Sequence, residues 1–215
     1  MIEAQMLERI RNGKGFIAAL DQSGGSTPKA LKGYGIEDGA WSSDEEMFDL
    51  IHQMRVRIIT SPAFTGEKVL GAILFERTMD GQADGRPVPT VLRERNVVPF
   101  LKVDKGLEDE ADGVQMMKPM PGLDDLLARA KALGVVGTKM RSVINAANPA
   151  GIAANVAQQF EFGAQIWNAG LMPILEPEYN IKSADRAEGE TLLRDEILKQ
   201  LDAMPEGQVV MLKLS

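Results

Sequence analysis

The stretch "LMPILEPE" at residues 171–178 is an apolar run that ends in two carboxylates. Strands that are buried on both faces have near-continuous apolar sequences, and such strands belong to parallel sheets covered by helices. The chain carries five more runs of this kind: "GFIAALD" (15–21), "VLGAILF" (69–75), "VVPFLKVD" (97–104), "GVVGTKMR" (134–141) and "QVVMLKLS" (208–215). The pattern predicts six strands of a parallel sheet.

Helical segments with clear start and stop signals lie between these runs. Ser43 and Glu46 form a capping box, Pro149 stands in the first turn of a long apolar helix, and Gly134 and Gly170 follow helix ends. The order is βαβα, which predicts an α/β fold. Neither the dinucleotide-binding glycine pattern nor a P-loop is present, because "SGGSTPK" (23–29) matches neither. The favoured architecture is therefore a (β/α)8 TIM barrel in a single domain over residues 1–215, with about the first six strands supplied here.

Composition excludes several classes of function. A net charge of -7 without a basic block makes nucleic acid an unlikely partner, and no apolar stretch is long enough for a membrane span. The absence of cysteine excludes disulfides and thiol catalysis and is typical of a cytoplasmic protein. One histidine, His52, cannot form a multi-histidine metal site, and its helical context indicates a structural residue.

Charged side chains gather where the predicted strands end. Barrel enzymes build their active sites at the carboxyl ends of the strands, so these side chains are expected to converge there. A single charge at a strand end is usually just the start of a loop, and the Lys139 and Arg141 pair could equally close the barrel as structural ion pairs. The set consists of Asp21, Lys102, Asp104, Lys139, Arg141, Glu176, Glu178 and Lys213.

Lys213 has apolar neighbours on both sides, so it is either an edge-strand lysine that reaches solvent or a buried amine. Burial disfavours the ammonium form, and a lysine in such a position becomes a nucleophile that forms a Schiff base with a carbonyl. Glu176 or Glu178 could then supply or remove protons, and Asp21 could polarise a substrate hydroxyl. The pattern indicates carbon–carbon bond chemistry at a ketone without a metal.

Six motifs, in this order and at compatible spacings, resemble the class I fructose-bisphosphate aldolases, in particular the short bacterial form. They are "LDQSGGSTPK", "ILFERTMDGQADGRPVP", "FLKVDKG", "TKMRS", "PILEPE" and "MLKLS". The resemblance implies a glycolytic lyase that reversibly cleaves fructose 1,6-bisphosphate into dihydroxyacetone phosphate and glyceraldehyde 3-phosphate. It also implies a phosphorylated sugar as the partner, no cofactor beyond the covalent Schiff base, and no metal. A homo-oligomer is compatible with it.

Roles follow from the resemblance residue by residue. Lys213 matches the Schiff-base lysine, Glu176 the general acid/base with Glu178 as its neighbour, and Lys139 the lysine that assists carbinolamine and proton steps. Asp21 matches the aspartate that handles the C4 hydroxyl. We expect substrate contacts from Ser23, Ser26, Lys102, Asp104 and Arg141, the first three at the phosphate end.

Three features depart from the resembling family. Gln22 stands where animal members carry a glutamate, and Ala30 where they carry an arginine. Family members continue past the lysine strand through two more βα units, so the sequence is expected to lack the C-terminal portion. Two alternatives stay open: another lysine Schiff-base aldolase or a transaldolase acting on phosphosugars, and a catalytically silent barrel fragment that acts as a binding module.

Overall fold

The computed structural model describes residues 3–37 and 39–215. The chain divides into two compact units, which are described separately. The residues up to Lys102 together with Arg129–Val136 form the first unit, and Val103–Ala128 together with Gly137–Ser215 form the second.

The first unit is built on a parallel sheet. Its elements are α1 (Ala4–Asn12), β1 (Phe16–Leu20), α2 (Thr27–Gly33), α3 (Asp44–Thr60), β2 (Val69–Leu74), α4 (Glu76–Met79), β3 (Gln82–Ala83), β4 (Arg86–Pro87), α5 (Val88–Glu94) and β5 (Val98–Lys102). β2 pairs in parallel with β1 and with β5, and every residue of β2 is buried. The continuous apolar run of β2 therefore does pack on both faces, as predicted.

Local sequence signals explain how the helices of this unit begin and pack. The Ser43 hydroxyl caps α3 by accepting from the backbone amide of Glu46 at 3.2 Å. The Glu46 carboxylate reaches back to the amide of Ser42 at 2.6 Å, one residue earlier than an ordinary capping box. Leu31 of α2 packs against Ile51 of α3 in a buried apolar cluster, which holds the two helices together.

The second unit has the same alternation of strand and helix. Its elements are β6 (Val114–Gln115), the start of α6 (Leu123–Ala132), β7 (Gly137–Ile144), α7 (Pro149–Asn168), β8 (Met172–Tyr179), α8 (Arg186–Asp202) and β9 (Met211–Leu212). β8 pairs in parallel with β7 and with β9, whereas β6 pairs antiparallel with β7. An apolar cluster that includes Ile144, Val156 and Leu193 joins the strands to α7 and α8.

All six predicted strands are present, but their bounds differ. β7 continues to Ile144, three residues past the predicted end at Arg141, because Ser142, Val143 and Ile144 stay in register with the last residues of β8. The predicted final strand is reduced to the two residues of β9. No helix in the described residues is long and apolar enough to cross a bilayer.

Candidate active site

Three neighbouring strands of the second unit present their charged residues on one face. Arg141 of β7 is in register with Glu176 of β8. The backbone amide of Lys213 donates to the carbonyl of Leu175 at 2.9 Å, which brings Lys213 alongside Glu176. Because side chains alternate along a strand and in-register neighbours face the same way, Lys139 also lies on this face. Lys139 and Glu176 are internal to their strands rather than at the ends, since both strands run on past them.

Glu176 lies between two lysines. Its Oε2 is 2.8 Å from the Lys139 ammonium nitrogen, and its Oε1 contacts the ammonium of Lys213. Glu176 and Lys139 are 3% and 5% exposed, so this part of the arrangement is withdrawn from water. Removing charges from water is unfavourable unless they are paired, and here one carboxylate pairs with both cations.

This lysine–carboxylate–lysine group can move protons. An ammonium must lose a proton before its nitrogen can attack a carbonyl, and a carboxylate in direct contact can accept that proton. The second lysine keeps a positive charge beside the carboxylate and compensates for its burial. An amine and a carboxylate able to exchange a proton with it are therefore in direct contact.

Of the two possibilities for Lys213, the structure supports the exposed one. The side chain of Lys213 is 47% exposed, and its neighbours Val209, Leu212 and Leu214 are exposed as well. A buried amine is wrong for this chain as described. Lys213 follows the short strand β9, and its side-chain nitrogen contacts the Glu176 carboxylate. This contact, and not burial, sets Lys213 apart from an ordinary surface lysine.

The three other predicted residues of this unit are connected through Arg141. The Arg141 Nε atom contacts Glu178 Oε2, and both side chains are about two-fifths exposed. Asp104 is buried, and its Oδ2 accepts from the backbone amide of Arg141 at 3.1 Å while Oδ1 accepts from the amide of Gly106 at 3.4 Å. Asp104 thus fixes the backbone of β7 between the two basic residues.

The remaining predicted residues lie in the first unit. Asp21 directly follows β1, and Lys102 is the last residue of β5. Ser23 and Ser26 form the turn that leads into α2, in which the Ser26 hydroxyl accepts from the amide of Ser23 at 3.1 Å. The Thr27 hydroxyl donates to the Ser23 carbonyl at 2.9 Å and stabilises the same turn.

Arg55 of α3 was missed by the sequence analysis. It is 1% exposed, and its guanidinium donates to the Thr78 hydroxyl at 2.8 Å and to the Gln22 carbonyl at 2.6 Å. Burial lowers the pKa of Arg55 to about 10, and the charge of Asp21 opposes this shift. Its position four residues after the buried Ile51 was the available signal, because that spacing places Arg55 on the apolar face of α3.

A second cluster missed from sequence follows β8. The Asp185 carboxylate accepts from the Ala147 amide at 2.7 Å and from the Tyr179 hydroxyl at 2.9 Å, and the Ser183 hydroxyl donates to it as well. The amide bond from Ala147, followed by the bond from Ser183, lowers the pKa of Asp185. Burial, reinforced by Asp185, raises the pKa of Tyr179 to about 12.

His52 has the structural position that its helical context predicted. Its Nε2 lies 3.1 Å from the Gln82 carbonyl, which ties α3 to β3. Over residues 3–37 and 39–215, no three side chains of histidine, cysteine, aspartate or glutamate are grouped as metal ligands would be.

Comparisons with known proteins identify the family to which the chain is similar. Residues 3–211 match the family of glycolytic class-I fructose-bisphosphate aldolases. The class 1 fructose-bisphosphate aldolase of Synechocystis is 56% identical over 212 residues, which are 98% of this chain and 71% of that protein.

A solved structure supports the fold. The fructose-bisphosphate aldolase of Plasmodium falciparum, solved in complex with TRAP and a small-molecule inhibitor, matches with a TM-score of 0.65 at 24% identity. The match covers 83% of this chain, and this chain spans 53% of the Plasmodium protein. The predicted fold class, an α/β chain that supplies part of a TIM barrel, is confirmed. The chain belongs to the class I fructose-bisphosphate aldolase family, and its expected reaction class, carbon–carbon bond lyase, is that of the family.

Proposed function

We propose that this chain carries the Schiff-base machinery of an aldolase that reversibly cleaves fructose 1,6-bisphosphate into dihydroxyacetone phosphate and glyceraldehyde 3-phosphate. The observation that carries the proposal is the Glu176 carboxylate, which contacts the ammonium groups of both Lys139 and Lys213. A nucleophilic lysine needs a partner that takes its proton, and the carboxylate is already in contact with it.

The first half of the reaction uses these three residues. Lys213 gives a proton to Glu176, and its nitrogen attacks the C2 carbonyl of the sugar to form a carbinolamine. Loss of the C2 oxygen as water, with a proton returned from Glu176, leaves an iminium between Lys213 and C2. The positive charge of Lys139 stabilises the Glu176 carboxylate during both proton transfers, because the two side chains are buried together.

Other predicted residues keep the roles that family membership suggests. Asp21 takes the proton of the C4 hydroxyl during cleavage, and Ser23, Ser26 and Lys102 bind a phosphate end of the sugar. Glu178 belongs to the catalytic set as the neighbour of Glu176, where a second carboxylate can exchange protons. Arg141 and Asp104 complete the substrate-binding set, with Asp104 acting through the backbone of β7. We place the enzyme in the cytoplasm, in sugar breakdown or synthesis, and propose that it works without a metal.

Chemical trapping tests the proposal. The chain is incubated with dihydroxyacetone phosphate and borohydride, which reduces an iminium to a stable amine, and peptide mass spectrometry locates the adduct. We expect the adduct on Lys213 and its loss in the Lys213→Met variant. Lys182→Met is the matched control, because Lys182 is an exposed lysine of the same unit. A folded wild-type chain that forms no adduct would contradict the proposal. It would favour the alternative of a catalytically silent fragment that acts as a binding module.

A substrate panel separates this enzyme from other Schiff-base aldolases. The lysine–carboxylate–lysine group forms the iminium with any suitable ketone, so it does not by itself select the sugar. We expect fructose 1,6-bisphosphate to be cleaved faster than singly phosphorylated sugars. A preference for transaldol transfer between phosphosugars would replace the proposed activity with the transaldolase alternative.

A further inference from the structure

The proposed reaction assigns no step to Arg55, yet Arg55 is one of the most deeply buried polar side chains of the first unit. Burying a guanidinium is unfavourable unless its donors are satisfied. Its Nε finds no hydrogen-bond partner among the described residues, although the terminal nitrogens are bonded. An apolar side chain of similar size would fill the same space without this desolvation penalty. A charge retained under these conditions is typical of a functional region.

The contacts of Arg55 join the segments that follow two strands. One terminal nitrogen holds Gln22, the residue after Asp21, through both its carbonyl oxygen and its side-chain oxygen, the latter at 3.3 Å. The other holds Thr78 of α4, which follows β2, and the guanidinium also lies 5.9 Å from the centre of the Phe75 ring. The backbone that carries Asp21 is therefore anchored to a rigid helix.

Charge adds to this anchoring. The negative charge of Asp21 acts on Arg55 and favours its protonated form. Gln22 binds Arg55 without carrying a charge, so it does not compete with Asp21 as a counter-ion.

We propose that Arg55 is a positioning residue, which holds the backbone at Asp21 and thereby orients the Asp21 carboxylate for carbon–carbon bond cleavage. The inference rests on the proposed function. In that step Asp21 accepts the C4 hydroxyl proton, the C4–O bond becomes a carbonyl, and the C3–C4 bond breaks. The released electron pair passes to the iminium and gives an enamine on Lys213, while glyceraldehyde 3-phosphate leaves.

Two measurements on the full chain distinguish this role from a general structural one. Dihydroxyacetone phosphate has no C4 hydroxyl, so trapping it on Lys213 does not require Asp21, whereas cleaving fructose 1,6-bisphosphate does. Arg55→Gln should therefore lower kcat for cleavage by about 10- to 100-fold while trapping stays within about twofold of wild type. Arg55→Lys keeps the positive charge but loses the planar set of N–H donors. Its kcat for cleavage should lie between those of wild type and Arg55→Gln. Arg57→Gln, on an exposed position of the same helix, should match wild type in both assays.

A double-mutant cycle makes the test sharper. If Arg55 acts through Asp21, adding Arg55→Gln to Asp21→Asn should change kcat by no more than about twofold. Equal losses of cleavage and trapping in Arg55→Gln, or additive losses in the double variant, would show a merely structural residue and overturn the inference. A wild-type chain that traps nothing would overturn the proposed function itself, and the inference with it.

Discussion

Glu176 and Glu178 lie two residues apart on the same face of β8, and they differ chiefly in burial. Glu176 is buried with Lys139, whereas the contact between Glu178 and Arg141 is open to solvent. Ion pairs in water contribute little because the charges are already well solvated, and they are screened by salt. A buried pair that loses one partner leaves an uncompensated charge in a medium of low polarity.

Replacing each glutamate by glutamine should separate these two situations. Glu176→Gln is expected to lower the free energy of unfolding by about 3 kcal/mol, because Lys139 stays buried without its counter-ion. Glu178→Gln serves as the matched variant and should change it by less than about 1 kcal/mol. Urea unfolding followed by circular dichroism measures both. If both variants lost the same free energy of unfolding, burial would not be what makes the Glu176 ion pairs more important for stability than the Glu178 pair.

Asp185 should leave a signature in the pH dependence of stability. Its pKa is lowered in the folded chain from an ordinary value of 3.8, so its stabilising effect is complete above that value and is lost as the pH falls through the folded pKa. The difference in Tm between wild type and Asp185→Asn should be constant near neutral pH and shrink in acid. Asp195→Asn, an exposed position on α8, is the control. A difference that grows on acidification would have the wrong sign.

The residues of the candidate site could be named from sequence, but their environments could not. The motif "PILEPE" identified Glu176 without showing that one carboxylate would face two lysines, because that contact depends on the register of three strands distant in sequence. Arg55 was overlooked since arginine is normally a surface residue, and only its place on a buried helical face indicated otherwise.

At the scale of elements, continuous apolar runs predicted every long strand and the short β9, while the other short strands were not predicted. The β3–β4 hairpin turns at Asp84 and Gly85, and the segment before β6 turns at Asp112 and Gly113; all four have positive φ angles. An Asp-Gly pair is a strong hairpin signal, so both turns could have been predicted. The strand β6 could not be predicted, because two residues are too few to show an apolar run or an alternation of apolar and polar residues.

Substitution by alanine should affect the stability of the chain in opposite directions at two helical glycines. Alanine normally stabilises a helix relative to glycine by up to about 1 kcal/mol. At Gly33 of α2 a new Cβ meets no atom within 4 Å, so Gly33→Ala should be neutral or stabilising. At Gly189 of α8 it would lie 1.9 Å from the Tyr179 hydroxyl oxygen, so Gly189→Ala should destabilise the chain by about 2 kcal/mol or more. Calorimetric Tm values compare the two, and a stabilised Gly189→Ala would contradict the described packing of α8.

At the scale of the whole chain, family membership and composition make the same prediction about metals. The chain has one histidine and no cysteine, so the ligands that proteins most often offer to zinc are scarce. Cleavage of fructose 1,6-bisphosphate should therefore be unchanged after dialysis against EDTA. A metal-dependent lyase assayed in parallel confirms that the chelator works. A large loss restored by zinc would contradict the Schiff-base proposal.

The carboxylate shared by Lys139 and Lys213 has a consequence for observing catalysis. Any chemistry that turns the Lys213 ammonium into an iminium removes N–H donors that face Glu176 and shares the positive charge with the substrate carbon, and the buried Lys139 on the other side of the carboxylate experiences that change. Lys139 is thus a built-in spectroscopic reporter. Isotope labelling of lysine side-chain nitrogens would let its resonance follow the covalent state of a neighbour with which it has no bond.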